Sequence, residues 1–493
     1  MIERVDGRRW RDKMRGLQAL NGAIRAWLGD GKRKLDGLIQ KFRMQEDSTI
    51  KPIAPTIIPR SEHAITRANI SPNALKVLYR LKEAGHQACL VGGGVRDLLL
   101  GREPKDFDIA TDAHPDQIRQ LFRNCRLIGR RFRLAHIVYG REVIEVATFR
   151  GRHSDDVDED THQAMSDEGR ILRDNVYGSV EEDAWRRDFT VNALYYDIAD
   201  FSVRDYVGGM ADLNAGVLRL IGDPEVRFRE DPVRMLRAAR FAAKLGFRLE
   251  AKTAAAIPRL ADLLLDISSA RIYEEVLKLF MSGEAVTTYE LLRQYGLFAQ
   301  LFPETEEALT HEVDGHPQIL ISQALENTDR RIDEGKPVTP AFLFAALLWP
   351  PVLQRWQATA AELGDIAALQ EAGAWISSAQ ASHTALPKRF SMPMREIWAL
   401  QPRFEQMSGR RPLRLVTHPR FRAAYDFLLL RGASGEVEQE LCEWWTTFQA
   451  ESDEAREHLL TASTEKKPAK KRRRRRRSGA NRHEGGSSDS NND

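Results

Sequence analysis

The decisive stretch is Leu90-Val91-Gly92-Gly93-Gly94-Val95-Arg96-Asp97 followed by Lys105-Asp106-Phe107-Asp108-Ile109-Ala110. Gln87 to Val91 reads as a strand that runs into three glycines and then a short helix to Gly101. Such glycines let backbone N–H groups close on a phosphate, the helix start adds positive potential, and Arg96 can reach the same charge. The second segment reads as a strand over 106–110, in which alternate residues face opposite ways. Phe107 and Ile109 then enter the core, and Asp106 and Asp108 share the other face, about 7 Å apart at Cα. Aspartate is disfavoured in strands, and two on one face repel unless a cation lies between them. Their hard oxygens suit Mg²⁺, with triphosphate oxygens completing the octahedron. Two spaced aspartates alone would better suit a solvent-facing edge strand that happens to carry two acids. The glycine turn just upstream makes the pattern specific.

Working outward, Ser71-Pro72 is a helix start and Gly85 its stop. Further strands are expected at 135–139, 142–149 and near 191–198, with a helix at about 115–123, which makes a mixed α/β unit. Glu145 lies on a strand face with Val143, Ala147 and Phe149, where an acid needs a partner such as the metal pair. The acidic, polar segment 152–184 reads as a mobile loop. After about 210 the pattern turns helical, with helices starting at Asp231-Pro232 and Thr339-Pro340 and another over 418–431 that stops at Gly432. The fold class expected is α+β: a mixed-sheet head followed by all-α domains.

Three ordered segments resemble the class II nucleotidyltransferases, the family of bacterial poly(A) polymerases and CCA-adding enzymes. They are the run from Gly92 to Ala113, Arg186-Arg187-Asp188-Phe189-Thr190-Val191-Asn192-Ala193-Leu194, and Glu230-Asp231-Pro232-Val233-Arg234-Met235-Leu236-Arg237-Ala238-Ala239-Arg240. The resemblance implies a polymerase-beta-like catalytic head with a helical neck and body. It implies ATP as substrate, Mg²⁺ held by Asp106 and Asp108, and RNA 3′ ends as the partner. Nucleotide contacts are expected from Gly92, Gly93, Arg96, Asp97, Arg186 and Arg187. Either Asp188 or Glu145 is the third catalytic acid, with Asp188 slightly ahead. The resemblance assigns base reading to Asp231 and Arg234, and the residue types suit it. A carboxylate accepts from an exocyclic amino group while a guanidinium donates to the adjacent ring nitrogen. Adenine and cytosine both show that edge, so these residues do not separate ATP from CTP. Arg237 and Arg240 extend the stripe toward phosphate or RNA.

A further segment, Leu127-Ile128-Gly129-Arg130-Arg131-Phe132-Arg133-Leu134-Ala135-His136-Ile137, resembles the poly(A)-adding branch. Template-independent polyadenylation, with a part in RNA decay and decay proteins as partners, is the reading that follows. CCA addition to tRNA is the alternative, and an adaptor that has lost catalysis is a second. The intact pair of aspartates speaks against the adaptor.

The charge is unevenly placed. Net charge is +3, yet residues 465–493 hold 11 Lys or Arg against 4 Asp or Glu, and residues 1–43 hold 12 against 5, so the middle is acidic. Basic ends suit a protein that holds a polyanion with flexible arms. Lys470, Lys471, Arg472, Arg473, Arg474, Arg475, Arg476 and Arg477 form an unbroken cationic run that cannot fold alone and is expected to lie along RNA. Residues 1–43 read as a dispensable extension ahead of a start at Met44, or as an RNA- or membrane-touching arm. The organisation expected is 1–60 extension and linker, 61–210 head, 211–300 neck, 301–462 body and 463–493 tail, in a monomer.

Other classes are excluded or weak. The strongly apolar run around Ala341 to Trp349 is too short to span a bilayer. The N-terminus lacks a signal-peptide pattern, so a cytoplasmic protein is expected. Cys89, Cys125 and Cys442 are far apart with no CxxC, which excludes a disulfide framework and a conventional zinc site. His311, Asp314 and His316 read as a solvated loop rather than a metal cluster. Trp444-Trp445 reads as core.

Overall fold

The computed structural model describes residues 54–129, 133–151, 177–310 and 316–465. The expected Arg/Lys-rich contacts at Lys470 to Arg477 lie outside them, as do residues 1–43, His311, Asp314 and the Arg130-Arg131-Phe132 part of the branch signature. One compact unit ends at Ala215 and a second begins at Gly216.

The first unit is an eight-stranded mixed sheet. Its strands are β1 (Thr56–Ile58), β2 (Ala88–Val91), β3 (Asp108–Thr111), β4 (Cys125–Ile128), β5 (Leu134–Tyr139), β6 (Glu142–Thr148), β7 (Leu194–Asp197) and β8 (Val203–Asp205). They lie in the order β1-β8-β7-β2-β3-β6-β5-β4. Strand β2 sits centrally between β7 and β3 and is buried along its whole length, as expected of an apolar run covered on both faces. Among the described residues five helices accompany the sheet: α1 (Pro72–Glu83), α2 (Gly93–Leu99), α3 (Pro115–Leu121), α4 (Val180–Trp185) and α5 (Gly209–Ala215). Ser71 Oγ caps α1 by accepting from the N–H groups of Asn73 and Ala74.

The observed elements depart from the expected ones at several places. Strand β3 begins at Asp108, not Asp106: its first rung is Val91 opposite Asp108, and the carbonyl of Asp106 packs against Gly94 instead of joining the ladder. The acidic loop ends in a helix, because Ser179 and Glu182 form a reciprocal capping box that starts α4. The stretch read as a strand near 191–198 opens with a 3₁₀ turn at Thr190–Asn192. The short edge strands β1 and β4, and β8 next to β1, depart from the expected pattern; three or four residues are too few for a period-2 pattern to show.

Among the described residues the second unit is helical apart from a parallel pairing of Val217–Leu218 with Arg248–Leu249. Helices α6 (Pro224–Glu230), α7 (Val233–Leu245), α8 (Ala251–Leu260) and α9 (Ser269–Phe280) open it. Thr339 caps Pro340–Leu347 as expected. Trp349, Trp398 and Trp445 are fully buried, and each indole N–H finds an acceptor: Glu436, the Ala345 carbonyl and the Phe404 carbonyl. A buried indole needs such a partner. Trp445 belongs to the core, and Trp444 stacks on Phe448.

Gly432 does not stop a helix. Helix Phe421–Ala433 runs through it, and a Cβ there would collide with Sγ of Cys442 on helix Gln439–Ala450. Gly432 is therefore a close-packing position. Gly432→Ala is expected to destabilise by about 1–3 kcal/mol through overpacking, read as a lower urea midpoint at unchanged slope. Adding Cys442→Ala should return most of it. A Gly432→Ala midpoint equal to the parent's would remove this contact from the stability of the unit.

Candidate active site

The chemistry-bearing residues of the head gather where three strand ends meet. Val91 pairs with Asp108 on one side and with Tyr195 on the other. Strand β6 runs parallel to β3 with Glu145 directly opposite Asp108, so the two carboxylates are cross-strand neighbours on one face. Gly92 turns the chain out of β2 with φ +71°. A Cβ there would sit 3.4 Å from Arg187 Nη1 and 3.9 Å from Asp108 Oδ2. The left-handed backbone and the missing side chain together leave the narrow space shared by Arg187 and Asp108. Gly94 allows the Asp106 backbone to approach, with its absent Cβ 3.2 Å from that carbonyl.

The electrostatics mark Asp108. Burial first, and then the carboxylate of Glu145, push its carboxyl up to about 6, although the nearby Arg187 pulls it down. Asp106, exposed beside it, pushes in the same direction as Glu145. Such a group gains stability from any further cation. His136, opposite Glu145 on β5, places Nε2 3.4 Å from Glu145 Oε1. Among the described residues no three acids, histidines or cysteines close tightly enough to hold an ion by themselves. An ion held by Asp106 and Asp108 would therefore be shared with phosphate oxygens, and the donor set fits that arrangement.

Arg187 is anchored by a residue that sequence reading missed. Asp183, on α4, is 2% exposed. Its Oδ2 accepts from Arg187 Nη2 at 3.0 Å and from the Tyr195 hydroxyl at 2.7 Å, and its Oδ1 accepts from Arg186 Nε at 3.1 Å. Burial pushes this carboxyl up, but Arg187, Arg186 and Tyr195 together bring it down to about 2. Asp-x-x-Arg-Arg at helical spacing carries this signal, and the acidic, polar composition of 152–184 masks it.

Arg96 and Asp97, expected as nucleotide contacts, sit inside the fold, where they bond to neighbouring side chains. Arg96 is 1% exposed. It donates from Nε to Asp97 at 2.8 Å and from Nη1 to Asn192 at 2.6 Å. Asn192 donates in turn to Asp188 at 3.2 Å, and Asp188 also accepts from the Phe189 N–H at 2.8 Å. A buried guanidinium needs this neutralisation, and the chain it forms ties the glycine turn to the Arg186-Arg187-Asp188 segment. Asp188 is thus a member of that chain, whereas Glu145 is the acid that faces Asp108.

In the second unit, Asp231 and Arg234 are each engaged elsewhere. Asp231 sits between α6 and α7, its Oδ1 accepting from the Val233 N–H at 3.3 Å and its Oδ2 from Arg271 at 2.8 Å. Arg234 Nη1 donates to the Arg227 carbonyl at 2.7 Å and to Glu230 at 2.9 Å. These bonds use one of the three guanidinium nitrogens, so the side chain is pre-aligned with donors to spare. Arg237 and Arg240 continue the half-buried stripe and lie over the Phe241 ring at 5.2 and 4.5 Å.

Comparison with known proteins bears on the family of the chain. Residues 88–219 match the poly A polymerase head domain, 246–309 a probable RNA and SrmB-binding site of polymerase A, and 361–479 the polymerase A arginine-rich C-terminus. Poly(A) polymerase I of Salmonella typhi is 54% identical over 411 residues, covering 82% of this chain and 88% of that one. That of Haemophilus influenzae is 46% identical over 424 residues, covering 85% and 94%. A CCA-adding enzyme of Bacillus subtilis is 40% identical over 228 residues, covering only 46% and 55%. The solved CCA-adding enzyme of Bacillus stearothermophilus in complex with CTP superposes with a TM-score of 0.52 at 27% identity, covering 77% and 84%. The match to the poly(A) branch covers most of either chain, whereas that to the CCA-adding enzyme of Bacillus subtilis covers about half of either. The chain belongs to the poly(A) polymerase I family.

Proposed function

We propose that this chain adds adenylates to RNA 3′ ends without a template, consuming ATP and releasing pyrophosphate. The observation that carries the site is the pairing of Asp108 with Glu145 across β3 and β6, beside Gly92 and Arg187. The RNA 3′-hydroxyl gives up its proton to solvent as its oxygen attacks the α-phosphorus of ATP; a P–O bond forms there, the bond to the α,β-bridging oxygen breaks, and pyrophosphate leaves. Asp106 and Asp108 would hold Mg²⁺, which when bound lowers the pKa of the 3′-hydroxyl and neutralises the leaving pyrophosphate. Arg187, fixed by Asp183, presents positive charge beside Asp108 where phosphate must come. The backbone of Gly92 and Gly93 leaves room for it. Asp231 and Arg234 read the adenine edge, and residues 61–210, 211–300 and 301–462 serve as catalytic head, neck and RNA-binding body, with the tail beyond 463 gripping RNA. Magnesium, the monomeric state, cytoplasmic location and a part in RNA decay belong to the same proposal.

Glu145 is proposed as the third acid, with Asp188 as the residue that positions the segment around it. Glu145→Gln is expected to lower the rate of addition about a hundred-fold, some 2.7 kcal/mol at the barrier, at unchanged thermal stability. Asp188→Asn should lower both rate and stability, because Asn192 and the Phe189 N–H lose their charged acceptor. A Glu145→Gln enzyme at full rate would return the role to Asp188. The function as a whole is tested by extending an unstructured RNA with each nucleotide supplied alone. ATP should give long tails. A product that stops after one adenylate, or that grows equally on CTP, would replace polyadenylation with CCA-type addition.

A further inference from the structure

The second unit contains a groove of about 850 Å³, within the roughly 300–1,000 Å³ usual for ligand sites. One wall is the end of helix His316–Asp333 with the turn that follows it, and the other is helix Phe421–Ala433 with the two residues before it. Five cations line it: Arg330, Arg331 and Lys336 from the first wall, Arg420 and Arg422 from the second. Lys336 pairs with Glu334, Arg420 with Glu396 and Arg422 with Asp426. Arg330 instead donates to the Asn327 amide oxygen, and Arg331 to the Pro337 carbonyl at 2.9 Å. Among the described residues neither of these two guanidinium groups has a carboxylate within ion-pairing distance, although both are exposed. The walls below them are apolar, through Phe342, Leu343, Leu429 and Leu430. One acid, Asp426, is half-buried among them, and burial holds its carboxyl above the usual range.

We propose that this groove holds a stretch of single-stranded RNA, with phosphates on the rim cations and a base against the apolar wall. The rim charge alone would suit an acidic peptide equally well. Asp426 decides between them. Its carboxylate accepts from Arg422 Nε at 3.3 Å and has acceptor capacity left over. An apolar peptide side chain would cover it without adding a donor, which costs free energy. The exocyclic amino group of adenine supplies a second donor, while the base faces cover Leu429 and Leu430. Guanidinium groups with no acidic partner are the cheapest to commit to phosphate, because no existing ion pair has to break. The groove thereby adds an adenylate-preferring hold on the chain that the enzyme is lengthening, and the inference rests on the reading of the protein as an RNA-extending enzyme.

The test uses the full-length chain and oligo(A), with affinity measured by fluorescence anisotropy over a salt series. Arg330→Glu with Arg422→Glu reverses charge on both walls at exposed positions. Affinity for oligo(A) is expected to fall at least about ten-fold, and the salt slope to drop by about 1.4 for two lost phosphate contacts on a single strand. KM for RNA should rise while KM for ATP and kcat at saturating RNA stay as in the parent. The Arg330→Lys, Arg422→Lys protein should keep most of the affinity. Asp426→Asn should reduce the preference for oligo(A) over oligo(U), a readout that general charge loss would not move. Unchanged affinity and slope in the charge-reversed protein would overturn the proposal and leave an acidic protein as the occupant. If the parent chain itself fails to extend RNA, the functional reading falls first. A parent that extends RNA beside a variant that binds it equally well refutes the groove alone.

Discussion

Asp108→Ala protein is expected to extend an RNA primer with ATP at least about a thousand-fold more slowly than the parent, a barrier increase of some 4 kcal/mol. The size follows from position. Asp108 is the residue where the glycine turn, Glu145 and Arg187 converge, and it is the carboxylate that burial and its acidic neighbour most strongly bias toward accepting a cation. Removing it leaves Asp106 alone on an exposed segment, with one carboxylate where two are needed to share an ion with triphosphate. The fold should survive. Asp108 begins β3 and its side chain is only half-buried, so the core beneath, built on Ile109 and Ala110, is not opened. Circular dichroism and the unfolding midpoint should therefore match the parent, while incorporation of labelled ATP should be near background. Near-parent incorporation at matched stability would dismiss the metal-carboxylate assignment.

Asp183→Ala should produce the largest loss of stability. Asp183 gathers Arg186, Arg187 and the Tyr195 hydroxyl around one buried carboxylate. Deleting it leaves two guanidinium groups without their partner, and breaking such a buried pair costs about 3–5 kcal/mol. Arg187 keeps 21% of its side chain in contact with solvent, which brings the expected value toward the lower end. Arg187 also loses the anchor that holds it beside Gly92 and Asp108, so the surviving folded protein should bind ATP more weakly. The same carboxyl predicts a pH dependence. Its pKa is depressed in the folded state to about 2, against an ordinary 3.8. Its contribution is complete above the ordinary value and is lost as pH falls toward about 2, an effect on the order of 2 kcal/mol. Denaturant midpoints measured from pH 6 down to pH 2 should show this slope in the parent and a shallower one in Asp183→Asn. Equal slopes would mean that Asp183 is not charged in the native protein, and an unchanged midpoint for Asp183→Ala would mean that the cluster does not bear on stability.

The local sequence by itself determined the elements whose signals lie within a few residues. Ser71-Pro72 announced α1 because capping is a short-range hydrogen bond, and the apolar run ending at Val91 announced β2 because a central strand shows no alternation. The glycines of 92–94 and the spaced aspartates were legible for the same reason, and so were the two Arg-rich segments that resemble the nucleotidyltransferase family. What sequence reading could not supply was register. Nothing in the one-dimensional pattern places Glu145 opposite Asp108; parallel pairing of strands far apart in sequence does so. Nor could it distinguish a guanidinium that meets solvent from one that is spent inside. Arg96, read as a phosphate contact, is enclosed by Asp97 and Asn192, and the Asp231–Arg234 face resolves into pairs with Arg271 and Glu230. Gly432 shows the same limit: its spacing resembled a helix stop, but the close approach of Cys442 from another helix is what requires a glycine there. Capping, burial tendency and turn chemistry are local energies and can be read along the chain. Register, ion-pair choice and close packing depend on which distant segments meet, and only the tertiary structure decides that.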